Sequence, residues 1–258
     1  MAAISLRSRY DENFDVLTGT GTNLPWIDDS TIPGWYASRT TYNAGTGSSN
    51  AGALYSFGST GDADRALGSV ASNTTENLFY GVRLTNDTDS VIPALDISYF
   101  GEQWRNGGNT DTQRLDFQYQ IGATSLTEGN WTDFNELDFT SPIATATAGA
   151  LDGNAAANRQ SISATLTGIS LAPGEDIWLR WLDTNDPGND HGLAIDNFSI
   201  TAGNVTVQPG ITLAETGGNT EVNEEGETTD TYTIALNTTP STPVEITIAA
   251  DDQTLISV

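Results

Sequence analysis

From Arg114 to Ile121, Leu115, Phe117, Tyr119 and Ile121 fall on one face, while Arg114, Asp116, Gln118 and Gln120 fall on the other. Successive side chains of an extended strand point to opposite faces, so this period of two predicts a half-buried β-strand. The same period recurs at Leu78, Tyr80, Val82 and Leu84, at Leu95, Ile97 and Tyr99, at Ile162, Ala164 and Leu166, and at Ile177, Leu179 and Trp181. Clusters of Gly, Asn, Ser, Thr and Asp separate the runs, as at residues 43–52 and 106–111. Each of those residue types favours turns. No long segment carries an apolar stripe at helical spacing. The one short helical expectation is residues 151–158, LDGNAAAN. Many short strands between Gly-rich turns predict an all-β fold, an antiparallel sandwich or barrel, over residues 1–201.

The texture changes at residues 202–209, which are expected to be a linker. Beyond them, Ile211 and Leu213, then Tyr232, Ile234 and Leu236, then Val244, Ile246 and Ile248 predict three alternating strands. Three strands do not close a sandwich. The chain stops at Val258 inside another apolar run, so residues 210–258 are expected to be part of a second β domain in a longer modular protein.

Charge narrows the partners. The 258 residues include 34 acids and 9 basic residues, all arginine, for a net charge of -25. Nine of the acids and none of the arginines lie beyond residue 209. Such a surface repels nucleic acid and anionic membranes and attracts divalent cations. Cysteine is absent, which excludes disulfides, thiolate metal sites and a Cys nucleophile. No apolar run approaches the roughly 20 residues that span a bilayer. The N-terminal MAAISLRSRYDENF lacks the apolar core of a secretory signal.

Candidate chemistry concentrates near residues 178–200, WLRWLDTNDPGNDHGLAIDNFSI. Asp183, Asn185, Asp186, Asn189 and Asp190 crowd one loop, and oxygen-rich loops hold hard cations, chiefly Ca²⁺. Asp183, Asn185 and Gly188 fit positions 1, 3 and 6 of an EF-hand loop, but Pro187 occupies position 5. The same residues also make an ordinary hairpin turn. Asp196 lies in phase with Phe198 and Ile200, and a buried carboxylate needs a counter-charge, from calcium or from an arginine. His191 is the only histidine. Any Ser-His-Asp triad would have to use it, yet no G-x-S-x-G elbow accompanies it. Glu102, Trp104 and Arg105 form a polar-aromatic cluster, either a strand-face salt bridge or half of a glycosidase acid pair. Trp26, Trp35, Tyr36, Tyr42 and Trp131 fall near loops, where they could stack on sugar rings, although core packing is the commoner fate of Trp.

Two resemblances add to this picture. YDENFDVL near the start, RALGS at 65–69, ISYFGEQWR at 97–105, RLDFQYQ at 114–120 and the closing LRWLDTNDPGNDHGLAIDNFSI resemble a jelly-roll module of large bacterial, especially cyanobacterial, secreted and surface proteins. The arrangement is also similar to MAM domains and carbohydrate-binding jelly rolls, in which acids of the first and last strands commonly share a calcium. The resemblance implies an antiparallel jelly-roll β-sandwich. It pairs Asp15, after Phe14, with Asp196 as calcium ligands, and places Asn197 where a second acid is usual. In residues 210–258, ITLAETGG, NEEGETTDTYTIALN and PVEITIAADD resemble the first half of a Calx-beta domain, some of which bind calcium.

The combined expectation is a non-catalytic adhesion or carbohydrate-binding module, secreted or on the cell surface, stabilised by Ca²⁺. Its metal candidates are Asp15, Asp196, Asn197, Asp183, Asn185, Asp186 and Asp190, and its ligand-binding candidates are Trp26, Trp35, Tyr42 and Trp131. The expected partner is a glycan or cell-surface polysaccharide. Alternatives are an accessory region of an exported hydrolase and a glycoside hydrolase built on a jelly roll.

Overall fold

The computed structural model describes residues 3–203, 210–215, 231–236 and 243–248. It divides into two compact units, Met1–Asn204 and Val205–Val258. The first unit is a β-sandwich of two sheets, and the only helix among the described residues is the single turn Asn135–Leu137. The first sheet runs in the order Ile4–Ser5, Leu78–Thr85, Asp176–Asp183, Arg114–Ile121 and Thr132–Asp133, with Trp35–Ala37 also paired to Leu78–Thr85. The second sheet is built on the long strands Ile92–Asn106 and Gly192–Gly203, flanked by Arg159–Leu171 on one side and by Ala66–Val70, Ala53–Phe57 and Thr41–Gly45 on the other. Pairing is antiparallel except for two short contacts, Ile4–Ser5 on Leu78–Thr85 and Thr41–Gly45 on Ala53–Phe57.

The period-two positions face inward as predicted. Leu78, Tyr80, Val82 and Leu84 of one strand, Ile177, Leu179 and Trp181 of the next, and Leu115 and Phe117 of the third all join the core. Trp181 is its hub. Its ring centroid lies 5.3 Å from Phe117, 5.4 Å from Tyr99, 5.6 Å from Phe198 and 6.0 Å from Trp35. Edge-to-face pairs dominate, as the ring quadrupole favours. Phe14 enters this cluster, 4.8 Å from Trp35. It does so with φ of +58°, a conformation that is rare for a bulky residue. Its N–H donates to the Glu12 carboxylate at 2.9 Å and its carbonyl accepts from Leu17 at 2.9 Å. The opening Phe–Asp pair is thus a tight turn that drives Phe14 into the core and leaves Asp15 exposed.

Two expectations are corrected. Residues 151–158 form consecutive turns and no helix: Ala155 N–H donates to Asp152 O and Asn158 N–H to Ala155 O. Gly153 sits directly against the Trp104 indole, where a side chain would collide, so packing and not propensity sets the backbone there. In the second unit, Ile211–Glu215 and Tyr232–Leu236 pair antiparallel, but residues 243–248 are not in a strand. A strand exists only where a ladder satisfies its backbone, and the two described strands pair with each other. No described helix is long and apolar enough to cross a membrane.

Candidate functional site

The out-of-phase positions of the first sheet build its outer face. Register places Tyr36 opposite Gly81, Gly81 opposite Arg180, Arg180 opposite Gln118, and Gln118 opposite Asp133. The neighbouring row is Arg83, Trp178 and Gln120. Gly81 carries no side chain in the first row because the backbone of Leu179 and Arg180 already fills the place of a Cβ. Tyr36 packs on Trp178 at 4.5 Å. Arg83 is held by Asp176 at 2.5 Å. Arg180 is clamped between two rings, its guanidinium carbon 4.4 Å from the Phe79 centroid and 3.9 Å from that of Trp131. Its Nε donates to Gln118 Oε1 at 2.7 Å and its Nη1 to the Leu126 carbonyl at 2.5 Å. Burial pulls its pKa down to about 10, so it stays charged at neutral pH. Tyr36, Phe79, Arg83, Gln118, Gln120 and Trp131 are all half-exposed. The face is therefore a platform of aromatic rings edged by guanidinium and amide groups.

Of the four aromatic candidates, three are buried and Trp131 is half-exposed. Trp35 is fully buried, Trp26 is 3% exposed and Tyr42 is 7% exposed. All three belong to the core, where no sugar ring reaches them. Trp131 alone stands on an open face. Tyr36 joins it there, and so do Trp178, Phe79 and Arg180, which the sequence reading does not single out. Their signal was present: each occupies the polar phase of an alternating strand, and an aromatic in that phase points away from the core.

On the outer face of the second sheet, Glu102 lies opposite Arg159 on one side and Ala194 on the other, and Asp196 lies opposite Phe100. Arg159 serves both acids, with Nε 3.3 Å from Glu102 and Nη2 3.6 Å from Asp196. The same guanidinium covers the Phe100 ring at 3.8 Å. Glu102 and Asp196 are each 1% exposed. Burial pushes Glu102 up to about 7 and Asp196 up to about 8, the latter also raised by Glu102. The partner of Glu102 is thus Arg159 and not the adjacent Arg105, which donates to the Gly47 and Ser48 carbonyls. Trp104 bonds Glu102 at 3.0 Å and stacks on Phe57, beneath the 46–52 and 151–158 loops.

Arg159 thus supplies a counter-charge to Asp196. Its two carboxylate oxygens also accept the Asn197 N–H and Nδ2, each at 2.7 Å. Asn197 has φ of +50° at a register shift in its strand, a bulge geometry that Asn tolerates better than most residues. Asp15 accepts the Arg65 N–H at 3.0 Å and Asn13 Nδ2 at 2.6 Å. No hydrogen bond or ion pair joins Asp15 to Asp196. A shallow cavity of about 420 Å³ lined by Arg9, Asp11, Glu12, Asn13, Asn197 and Phe198 lies beside them.

The acidic loop does gather its carboxylates. Asp183 is buried at the end of its strand and accepts Ser69 Oγ at 2.6 Å across the sandwich. Burial pushes it up to about 8, helped by Asp190 and Asp186. Asp190, raised to about 6 by burial, accepts the Asp186 N–H. Asn185 instead bonds Asn73 and Asn77. Among the described residues no group of three or more His, Cys, Asp or Glu has metal-holding geometry. His191 is 1% exposed and its Nδ1 accepts the Gly107 N–H at 2.9 Å, so it caps a turn, and no serine hydroxyl bonds it.

No protein-family model and no curated protein matches the chain. Among solved structures, the CBM22-1 xylan-binding domain from Paenibacillus barcinonensis Xyn10C aligns at 12% identity with a TM-score of 0.37, covering 78% of this chain and 97% of that one. The K3 cleaved adhesin domain of Lys-gingipain from Porphyromonas gingivalis gives 13%, 0.38, 68% and 97%. A family 11 carbohydrate-binding module from Clostridium thermocellum, in complex with a mixed-linked tetrasaccharide, gives 9%, 0.31, 72% and 98%. None of these likenesses bears on the Calx-beta resemblance of residues 210–258. The sandwich assignment stands on the strand pairing of this chain itself.

Proposed function

We propose that the sandwich unit is a non-catalytic glycan-binding or adhesion module, secreted or displayed at a cell surface, and that it binds through the outer face of its first sheet. The observation that carries this reading is the half-exposed set of Tyr36, Phe79 and Trp131, backed by the buried Trp178 and Arg180, with Gln118 and Gln120 beside them. Ring faces accept the C–H faces of sugars, and planar amides and guanidinium groups bond their hydroxyls. A few convergent polar groups on an aromatic surface are the usual makings of a binding site. Tyr36→Ala and Trp131→Ala are half-exposed changes. Each should weaken binding to an array-identified glycan by about tenfold or more while leaving the melting midpoint nearly unchanged, since stacked aromatics dominate such contacts. Wild-type affinity in both variants would remove the platform from the reading.

Turnover is the second reading, motivated by two adjacent buried carboxylates with raised pKa values. Both are closed off and tied to Arg159, which suits a structural ion cluster better than an acid catalyst. Hydrolysis that disappears in Glu102→Gln would reverse this preference.

Calcium as a fold stabiliser remains part of the proposal. Asp183, raised by Asp190 and Asp186, and Asp190, raised by Asp186, are the pair that excess Ca²⁺ would relieve. Bound calcium would raise the melting midpoint by mass action. The expected result is a higher midpoint in CaCl₂ than in EDTA, and equal midpoints would count against any structural calcium.

A further inference from the structure

Building on the glycan reading of the same face, we infer that the platform recognises an acidic sugar. Its ligand is a largely neutral glycan carrying isolated uronate residues, whose carboxylate meets the outward edge of Arg180.

Arg180 is set apart from the other described arginines by its place between two rings. Arg83, Arg114 and Arg159 each have a carboxylate within ion-pair distance. Arg39, Arg65 and Arg105 have no described carboxylate at that distance either and direct their guanidinium groups to the carbonyls of Thr75, Ser56 and Gly47. Arg180 is 6% exposed, yet no carboxylate lies within ion-pair distance of it. Nε and Nη1 are satisfied by Gln118 and Leu126. Among the described residues Nη2 makes no hydrogen bond.

A buried guanidinium without a counter-ion is costly, and here its position is tightly held. Phe79 and Trp131 lie against it. Two hydrogen bonds set its rotation, and Gly81 separates it from Tyr36 in the sheet row. Asp133 accepts a bond from Gln118 Nε2 at 2.7 Å and favours the Arg180 charge at longer range, but it is outside ion-pair distance. The arrangement is a pre-oriented donor edge inside an aromatic frame. Arginine presents such an edge to a carboxylate with charge-assisted bonds.

Net charge defines the kind of acidic glycan. At -25, the protein repels a polyanion at long range. At physiological salt that field is screened beyond about 8 Å, and a single carboxylate in contact with Arg180 is not opposed by it. A neutral backbone with sparse uronates satisfies both conditions.

The test uses matched neutral, singly C6-carboxylated and methyl-esterified gluco-, galacto- and manno-oligosaccharides, titrated calorimetrically into the full chain. In at least one series the carboxylated form should bind about tenfold tighter than the neutral one, a difference that one charge-assisted contact supplies. The advantage should vanish in the ester, in Arg180→Met, and in about 1 M NaCl, where the Debye length falls to about 3 Å. Arg180→Lys keeps the charge and stem if Arg180→Met fails to fold, and the ester and salt arms need no variant. Equal affinity for neutral and carboxylated forms overturns the acidic-sugar inference and leaves the glycan reading standing. Absence of binding across every series overturns both.

Discussion

The acids with the most perturbed protonation are buried side chains far from the platform. Asp183, Asp196 and Glu102 are pushed up to about 8, 8 and 7, and Asp190 to about 6, in each case chiefly by burial. Unfolded carboxylates titrate near 4. A folded pKa above the unfolded one means that the native state holds its proton more tightly. The stability this contributes is complete below about pH 4 and is lost as pH rises through the folded values of about 6 to 8. These four groups therefore make the fold weaker at pH 8.5 than at pH 5. Asp183→Asn keeps an acceptor for Ser69 and removes the titration. Denaturant midpoints measured from pH 5 to 9 should fall less steeply in this variant than in wild type. An identical slope would show that Asp183 is already ionised in the native state.

At the scale of elements, each strand follows its own period, and the exceptions have local causes. The closing strand shifts register at Asn197, whose left-handed backbone lets Asp196 accept two bonds from its neighbour while Phe198 returns to the core. Asn197→Gly keeps the backbone conformation and loses only the Nδ2 bond to Asp196, at about 1 kcal/mol, a loss that Asn197→Val shares. Asn197→Val should cost about 1–3 kcal/mol more, the range for a strained backbone forced on a β-branched residue. Chemical denaturation of the two variants checks this, and equal stabilities would mean that the bulge relaxes. The turns at 151–158 show the opposite case, an alanine-rich segment that helix propensity favours and that contact with Trp104 overrides.

For the whole molecule, charge of one sign is the dominant long-range term. Self-repulsion at -25 weakens the compact state, and salt screens it. Raising NaCl from about 10 mM to about 0.5 M should raise the melting midpoint. A flat response would show that local pairs such as Arg83–Asp176 and Arg159–Glu102 already balance the native charge. The same field selects against nucleic acid and polyanions as partners, which leaves the aromatic platform as the surface best suited to a near-neutral polymer.

Period-two alternation is a local property, so the β class, the inward faces and the acidic surface are legible in the chain alone. The prediction of an all-β sandwich rests on residues such as Leu115, Phe117 and Leu179, and the structure buries them all. Pairing across the sheets is non-local, and only the tertiary structure decides it. It assigns Arg159 as a partner of Asp196, sinks Trp26, Trp35 and Tyr42 into the core, and assembles Tyr36, Phe79, Trp131 and the pair Trp178 and Arg180 from four separate segments. No spacing along the chain encodes that platform, because the contacts that create it form only when the strands find their register.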